Sequence, residues 1–317
     1  MPSFSCTVED SIPPGLRLDL YIALYLKVLS RSQIKARNLE AMLNGKPVKI
    51  SRPLRGGENL ELTWQETESI NLIPEDIPLD IVYEDNRVIV INKAQGMVVH
   101  PGAGNRQGTL ANALLYRSLK KNGLLYPENP DIAFTGLRPG IVHRLDKDTS
   151  GLIIAAWDDD ALAFLASQFK ERKVRKSYAA LVRGCPRDSK GRIEKNIIRS
   201  PRDRKIFTVS DREGRPSVTS YKLVRDYGKY SLLMVRPKTG RTHQIRVHLK
   251  HIGLPILGDP LYGDLRKGDE DPRLRNATLM LHAKRLSIVL PGLSENNGRK
   301  TFRTPLPERF RVIIRLF

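Results

Sequence analysis

The residues best suited to chemistry are gathered in one run, Ile141-Val142-His143-Arg144-Leu145-Asp146-Lys147-Asp148-Thr149-Ser150-Gly151. Two apolar residues lead into a stretch in which nearly every side chain is polar or charged, and Leu152-Ile153-Ile154-Ala155-Ala156 then resumes the apolar pattern. A charged loop held between two buried segments can present a reactive group rigidly. Pro139-Gly140 before it and Gly151 after it supply the turn geometry. Asp146 is the expected working residue. Arg144, on the same side of an extended segment, and Lys147 favour the ionised carboxylate that a nucleophile or general base needs. On spacing alone the run reads equally well as a charged surface turn, because Asp, Thr, Ser and Gly are common turn residues.

Two further stretches carry candidate groups. Lys170, Arg172, Lys173, Arg175 and Lys176 form a basic cluster able to engage phosphates, and they lead into a strand that carries Tyr178. Ser231 to Pro237 reads as a strand entering a Pro-Lys-Thr-Gly turn, with a helix beginning near Thr242 as its cap, so Arg241 stands at a strand-to-helix corner. That corner suits a catalytic partner, and Arg246 is the weaker candidate for the role. His243, His248 and His251 show no His-Glu-x-x-His spacing and have no cysteine nearby, so no metal site is expected. Gly102-Ala103-Gly104 matches neither a phosphate-binding loop nor a dinucleotide fingerprint, so no nucleotide cofactor is expected.

Composition bounds the partner. The 317 residues include 54 Lys and Arg against 34 Asp and Glu, a formal net charge of +20. Such a balance suits RNA, DNA or an anionic membrane. No apolar run approaches the roughly 20 residues of a membrane span, and Met1 to Asp10 lacks a basic region followed by an apolar core. A soluble cytoplasmic protein is expected, with no membrane partner. Cys6 and Cys185 have no metal-ligand or redox spacing.

In chain order, the apolar spacing from Leu16 to Leu29 predicts a helix, and a Ser30-x-x-Gln33 capping box predicts a second, basic one. Asn44-Gly45 predicts a hairpin, and Leu60 to Trp64 alternates like a strand. The acidic, proline-punctuated stretch from Gln65 to Asp80 reads as a linker, giving domains of 1–74 and 75–317. Strands are expected at Ile81–Asp85 and Val88–Ile91, a helix from near Thr109 through Leu115, and a helix capped by Asp158-Asp159-Asp160. Arg183 to Arg215 is dense in basic residues that suit RNA backbone contact or a solvated face. Closing strands are expected at Leu279–Ala283 and Leu286–Leu290.

The run His143 to Gly151 resembles the signature of the large-subunit ribosomal family of pseudouridine synthases. Tyr83 to Lys93 with Val98-Val99-His100-Pro101-Gly102 resembles the family's first motif, departing from it at Ala94, where the family usually has proline. The resemblance implies an α+β fold with a mixed, largely antiparallel central sheet and flanking helices. It also implies an isomerase, an intramolecular transferase that turns uridine to pseudouridine without metal or organic cofactor. Asp146 falls on the catalytic aspartate, Tyr178 on the tyrosine of the uridine pocket, and Arg241 on the arginine that pairs with the aspartate. Asp146 would act by attack or by proton abstraction at the sugar. Residues 1–74 resemble the RNA-binding module named after small-subunit ribosomal protein four, a small α/β domain in which Arg31, Lys35, Arg37 and Lys46 would contact phosphate. Arg144 and Arg246 are further expected RNA contacts. Val99 to Asn105 with Asn112 to Tyr116 resembles the branch acting on 23S ribosomal RNA, which implies that RNA or the large ribosomal subunit as partner and no obligate protein partner. A non-enzymatic RNA-binding or ribosome assembly factor is the alternative, and it leaves the Asp146, Tyr178 and Arg241 constellation without a purpose.

Overall fold

Leu60 and Leu62 are buried while Asn59, Glu61 and Thr63 face outward or flank them, a period of two that makes a half-buried strand. It belongs to the smaller of two compact units, Met1–Asn71 and Leu72–Phe317, whereas composition places the boundary after residue 74. The structure is a computed structural model that describes residues 2–26, 28–29, 34, 37–65, 72–102, 104–123, 140–203, 205–263, 272–293 and 298–317.

In the first unit, β1 (Ser3–Thr7) precedes α1 (Leu18–Leu20), which runs directly into a π-helical segment, Tyr21–Leu26. β2 (Glu40–Leu43), β3 (Lys46–Val48) and β4 (Asn59–Thr63) complete an antiparallel sheet in the order β1-β4-β2-β3. Asn44 and Gly45 both take positive φ, 50° and 73°, the geometry of a tight hairpin turn. Leu18, Ile22, Leu43, Leu60 and Leu62 fill its core. The predicted helix over 16–29 is shorter than its periodicity suggests, and β1 had no signal in the apolar pattern. Arg31 and Lys35 of the second, basic helix lie outside the described residues; Arg37 sits in a turn and Lys46 is exposed on β3.

The second unit begins with β5 (Ile81–Glu84), β6 (Val88–Lys93), α2 (Leu110–Lys121), β7 (Gly140–Ile141), β8 (Ser150–Ala156) and α3 (Asp159–Lys170). Alternate side chains of its central strands serve two cores. Ile89, Ile91, Ile153 and Ala155 pack with Leu110 and Leu114 of α2, while Val88, Val90, Leu152 and Ile154 pack with Ala161 and Leu165 of α3. A strand covered on both faces is apolar at nearly every position, which explains the unbroken run after Gly151. Both helices begin on polar caps. Thr109 and Asn112 form a capping box, and Asp158 accepts the Ala161 N–H at 2.8 Å.

β9 (Arg175–Arg183), β10 (Lys190–Arg199), β11 (Phe207–Ser210), β12 (Arg215–Asp226) and β13 (Tyr230–Pro237) follow, then α4 (Gln244–His251), β14 (Leu281–Val289), β15 (Arg299–Arg303) and α5 (Glu308–Ile314). The sheet runs β11-β10-β12-β13-β9-β14-β8-β6-β5, with β15 beside β14 and β7 beside β8. Its pairings are antiparallel except that of β8 with β14, which is parallel and only two residue pairs long, His282 with Ser150 and Ala283 with Gly151. Gly151 is required at this join, because its φ is 112° and a Cβ would run into the Ala283 backbone. The fold is α+β, with a mixed, mostly antiparallel sheet. Among the described residues no helix is long and apolar enough to cross a membrane.

Candidate active site

The loop between β7 and β8 carries Asp146 and is fastened from behind by the end of β6. Lys93 closes that strand, is 1 % exposed, and its Nζ donates to the carbonyls of Ala94 and Met97 at 2.8 Å and of Lys147 at 3.1 Å. Burial pushes its pKa down to about 8, with Asp146 and Asp148 opposing the shift and Arg309 adding to it. Gln95 Nε2 donates to the carbonyls of Asp148 and Leu279, and the Gly96 N–H to that of Lys147 at 2.9 Å. Leu145 is buried in the same core as Tyr178, Val235 and Ile245. Asp146 is therefore held by its neighbours on both sides while its own side chain remains partly open to solvent.

In front of the loop, Asp146 Oδ2 lies 3.3 Å from Nη1 of Arg246. Arg246 is buried on α4, and its Nε and Nη2 both donate at 2.7 Å to the carboxylate of Asp259, which has no solvent exposure. Asp259 also accepts the N–H groups of Leu261 and Tyr262, each at 3.0 Å, and the guanidinium lies 4.9 Å from the centre of the Tyr262 ring. The forked pairing fixes the plane of the guanidinium, leaving Nη1 aimed at Asp146. Burial opposes the charge on Arg246, but the hydrogen bonds and the two carboxylates outweigh it and raise its pKa.

Tyr178 stands on β9 and borders the same cleft, which has a volume of about 110 Å³. Burial first, and then the charge of Asp146, push its phenol up, so it remains a protonated ring that can stack or donate a hydrogen bond. Arg144 is exposed at the cleft mouth. The structure thus brings together Asp146, Tyr178, Arg144 and Arg246, and it corrects the expected role of Arg241. That side chain lies on the rim, where its Nε donates to the Pro216 carbonyl at 3.4 Å, and the arginine paired with Asp146 is Arg246.

The reason is the start of α4. Thr242 does not cap it: the helix begins at Gln244, after His243 in a left-handed conformation with φ 56°. Gln244 secures the turn, accepting from Thr239 Oγ1 at 2.7 Å and the Arg241 N–H at 3.0 Å while donating to the Val218 carbonyl. Arg241 therefore precedes the helix, and Arg246 occupies its inward face. Lys93 and His243 belong to the site and were not expected there from sequence, and Asp259 and Tyr262 belong to it too. His243 Nε2 is 4.0 Å from Asp146, and its Nδ1 is 2.8 Å from the Tyr262 hydroxyl, which accepts the Phe207 N–H. Burial lowers the pKa of His243, against the pull of Asp146.

A family model described as RNA pseudouridylate synthase matches residues 87–251, which span Asp146, Tyr178 and Arg246. The chain is 43 % identical to "Ribosomal large subunit pseudouridine synthase D" of Borreliella burgdorferi, over 98 % of this chain and 91 % of that protein. It is 41 % identical to the protein of the same name from Yersinia pestis, over 80 % of this chain and 74 % of that one. Among solved structures, "Human RNA Pseudouridylate Synthase Domain Containing 4" is similar with a TM-score of 0.57 and 26 % identity, covering 74 % of this chain and 91 % of that chain.

Proposed function

The chain belongs to the RNA pseudouridylate synthase family and is an RNA-modifying isomerase, and from that premise we propose that it acts on large-subunit ribosomal RNA with Asp146 as its catalytic residue. In the reaction the bond from N1 of uracil to C1′ of the ribose breaks, the base turns, and a bond from C5 to C1′ forms. The C5 proton leaves and N1 gains one, so no group or electron passes to another molecule. The observation that carries the assignment is the 3.3 Å contact of Asp146 with a guanidinium already locked by Asp259, inside a cleft walled by Tyr178. A carboxylate at a fixed distance from a fixed cation can begin the reaction at the sugar, by attack or by taking a proton. Tyr178 offers a ring face to an extruded base, and extrusion is what chemistry on a stacked nucleotide requires.

The ribosomal target is supported by the names of the two relatives. Residues 1–74 act as the RNA-capturing module, through Arg37 and Lys46 and through the basic stretch around Arg31 and Lys35, in the cytoplasm where that RNA is assembled. The test is release of tritium from ribosomal RNA labelled at C5 of uridine and made in cells lacking the enzyme. Wild type should release tritium without added cofactor, and Asp146→Asn should release it roughly 10⁴-fold more slowly or not at all while still binding RNA. Equal release by both proteins would remove Asp146 from the chemistry.

A further inference from the structure

Beside the reaction cleft lies a second cavity, of about 370 Å³, which shares Arg144, Lys176, Thr239, Gly240 and Arg241 with it. Its charged lining consists of Arg144, Lys170, Arg172, Lys176, Lys238 and Arg241, and no carboxylate among the described residues borders it. Elsewhere on the unit basic side chains take acidic partners, as Arg87 does with Asp158, Arg117 with Glu84 and Lys195 with Asp211. None of these six has an ion-pair partner among the described residues. Lys176 is the least solvated of the cavity's lysines. Its ammonium lies 5.7 Å from the centre of the Phe169 ring, which stacks on His143 at 4.5 Å, and burial lowers its pKa. His143 adds no charge to the wall: its Nε2 accepts the Ile154 N–H at 3.1 Å, and burial holds its pKa at about 3.

Six cations crowded round a hollow repel one another unless an anion enters, and a hollow of this size, sharing its wall with the reaction cleft, fits a chain of phosphates better than a single ion. We propose that the second cavity seats the phosphodiester backbone of the RNA strand adjoining the extruded uridine, with Arg144 and Lys176 standing where the strand passes from one cavity to the other. The inference rests on the reading above, and it adds a subsite to it. Lys170, Arg172 and Lys238 are exposed and border the second cavity without bordering the cleft. They report on the strand without touching the reacting base.

The test uses the full chain with Lys170→Gln, Arg172→Gln and Lys238→Gln combined, beside a control of equal charge loss at Lys222, Arg225 and Arg303, which border neither cavity. KM for tritium release and Kd for the same RNA, read by fluorescence anisotropy, are each measured across a series of salt concentrations. The cavity triple should raise both at least about tenfold at 150 mM salt, with the loss carried by KM far more than by kcat. It should also flatten the plot of log Kd against log salt by about one to two, since each lost phosphate contact removes about 0.7 from the slope on single strands. The control should stay near wild type. An unchanged slope, a change no larger than the control's, or a loss in kcat alone would overturn the subsite. A wild-type protein that released no tritium would overturn the functional reading instead, while the binding slopes would still decide the subsite.

Discussion

The reaction cleft and the cavity beside it share three basic residues at their border, yet the molecule treats charge in opposite ways in the two places. In the cleft, Asp146 meets Arg246, Arg246 is forked onto Asp259, and Asp259 is saturated by two further N–H groups. In the cavity, six cations stand without a carboxylate among the described residues. Charges taken out of water are tolerated only when their partners are complete, and completing them makes a rigid array. Charges left on an open surface retain their water and counterions, and release them when a polyanion arrives. Rigidity goes with the paired charges, and unpaired charge is kept on the more open surface.

Arg246→Gln should show the largest effect of this contrast. It leaves Asp259 buried without its cation and Asp146 without its anchor. Urea denaturation should report a loss of about 3–5 kcal/mol, and tritium release should fall by about 10²–10⁴-fold in kcat. Arg241→Gln, five positions away on the rim, should change stability by less than about 0.5 kcal/mol and should act mainly through KM. Equal losses from the two arginines would dissolve the distinction between cleft and cavity. Lys93→Met should rank next. It strips the donor from three carbonyls behind the Asp146 loop, and it should cost about 1–3 kcal/mol while lowering kcat more than it raises KM.

The last effect is one of pH on the fold. His248 and His282 are fully buried, and burial lowers both pKa values to about 4. Each is neutral in the native state and binds a proton on unfolding below about pH 6.5. Their contribution is complete above that pH and is lost as pH falls toward 4. Melting should therefore occur at lower temperature at pH 5 than at pH 7, by an amount corresponding to about 1–2 kcal/mol per histidine. Equal melting temperatures would show that the two rings are protonated in the fold.

Much of the arrangement was legible because local pattern and tertiary environment agree. The apolar run after Gly151 is apolar because β8 is covered on both faces, and Asp158 caps α3 where an Asp at that spacing should. The resemblance to the pseudouridine synthases extended this reading from local elements to fold and chemistry, and the family match at residues 87–251 agrees with it. Arg241 was the misreading. A corner residue looks placed for catalysis, but Thr242 does not start the helix, and a left-handed His243 shifts the inward face to Arg246. A signal was present in Asp259: an acid between Gly258 and Pro260 in an apolar stretch needs a buried cation, and the next helix back offers one. Lys93 likewise stood out as a lone charge ending a buried strand. Neither pairing could be read from periodicity, because the partners lie 13 and 54 residues apart.

The two-residue parallel seam between β8 and β14 also decides when the enzyme comes into being. β5, β6, β7 and β8 make one run of the sheet and bring Asp146 with them; β9 to β13 with β14 make the other and bring Tyr178 and, through α4, Arg246. A chain that has built either half alone owns an aspartate without its arginine or an arginine without its aspartate. Closing the seam joins residues about 130 positions apart, the kind of distant contact that a folding chain makes late. Catalytic competence is thus a property of the finished chain.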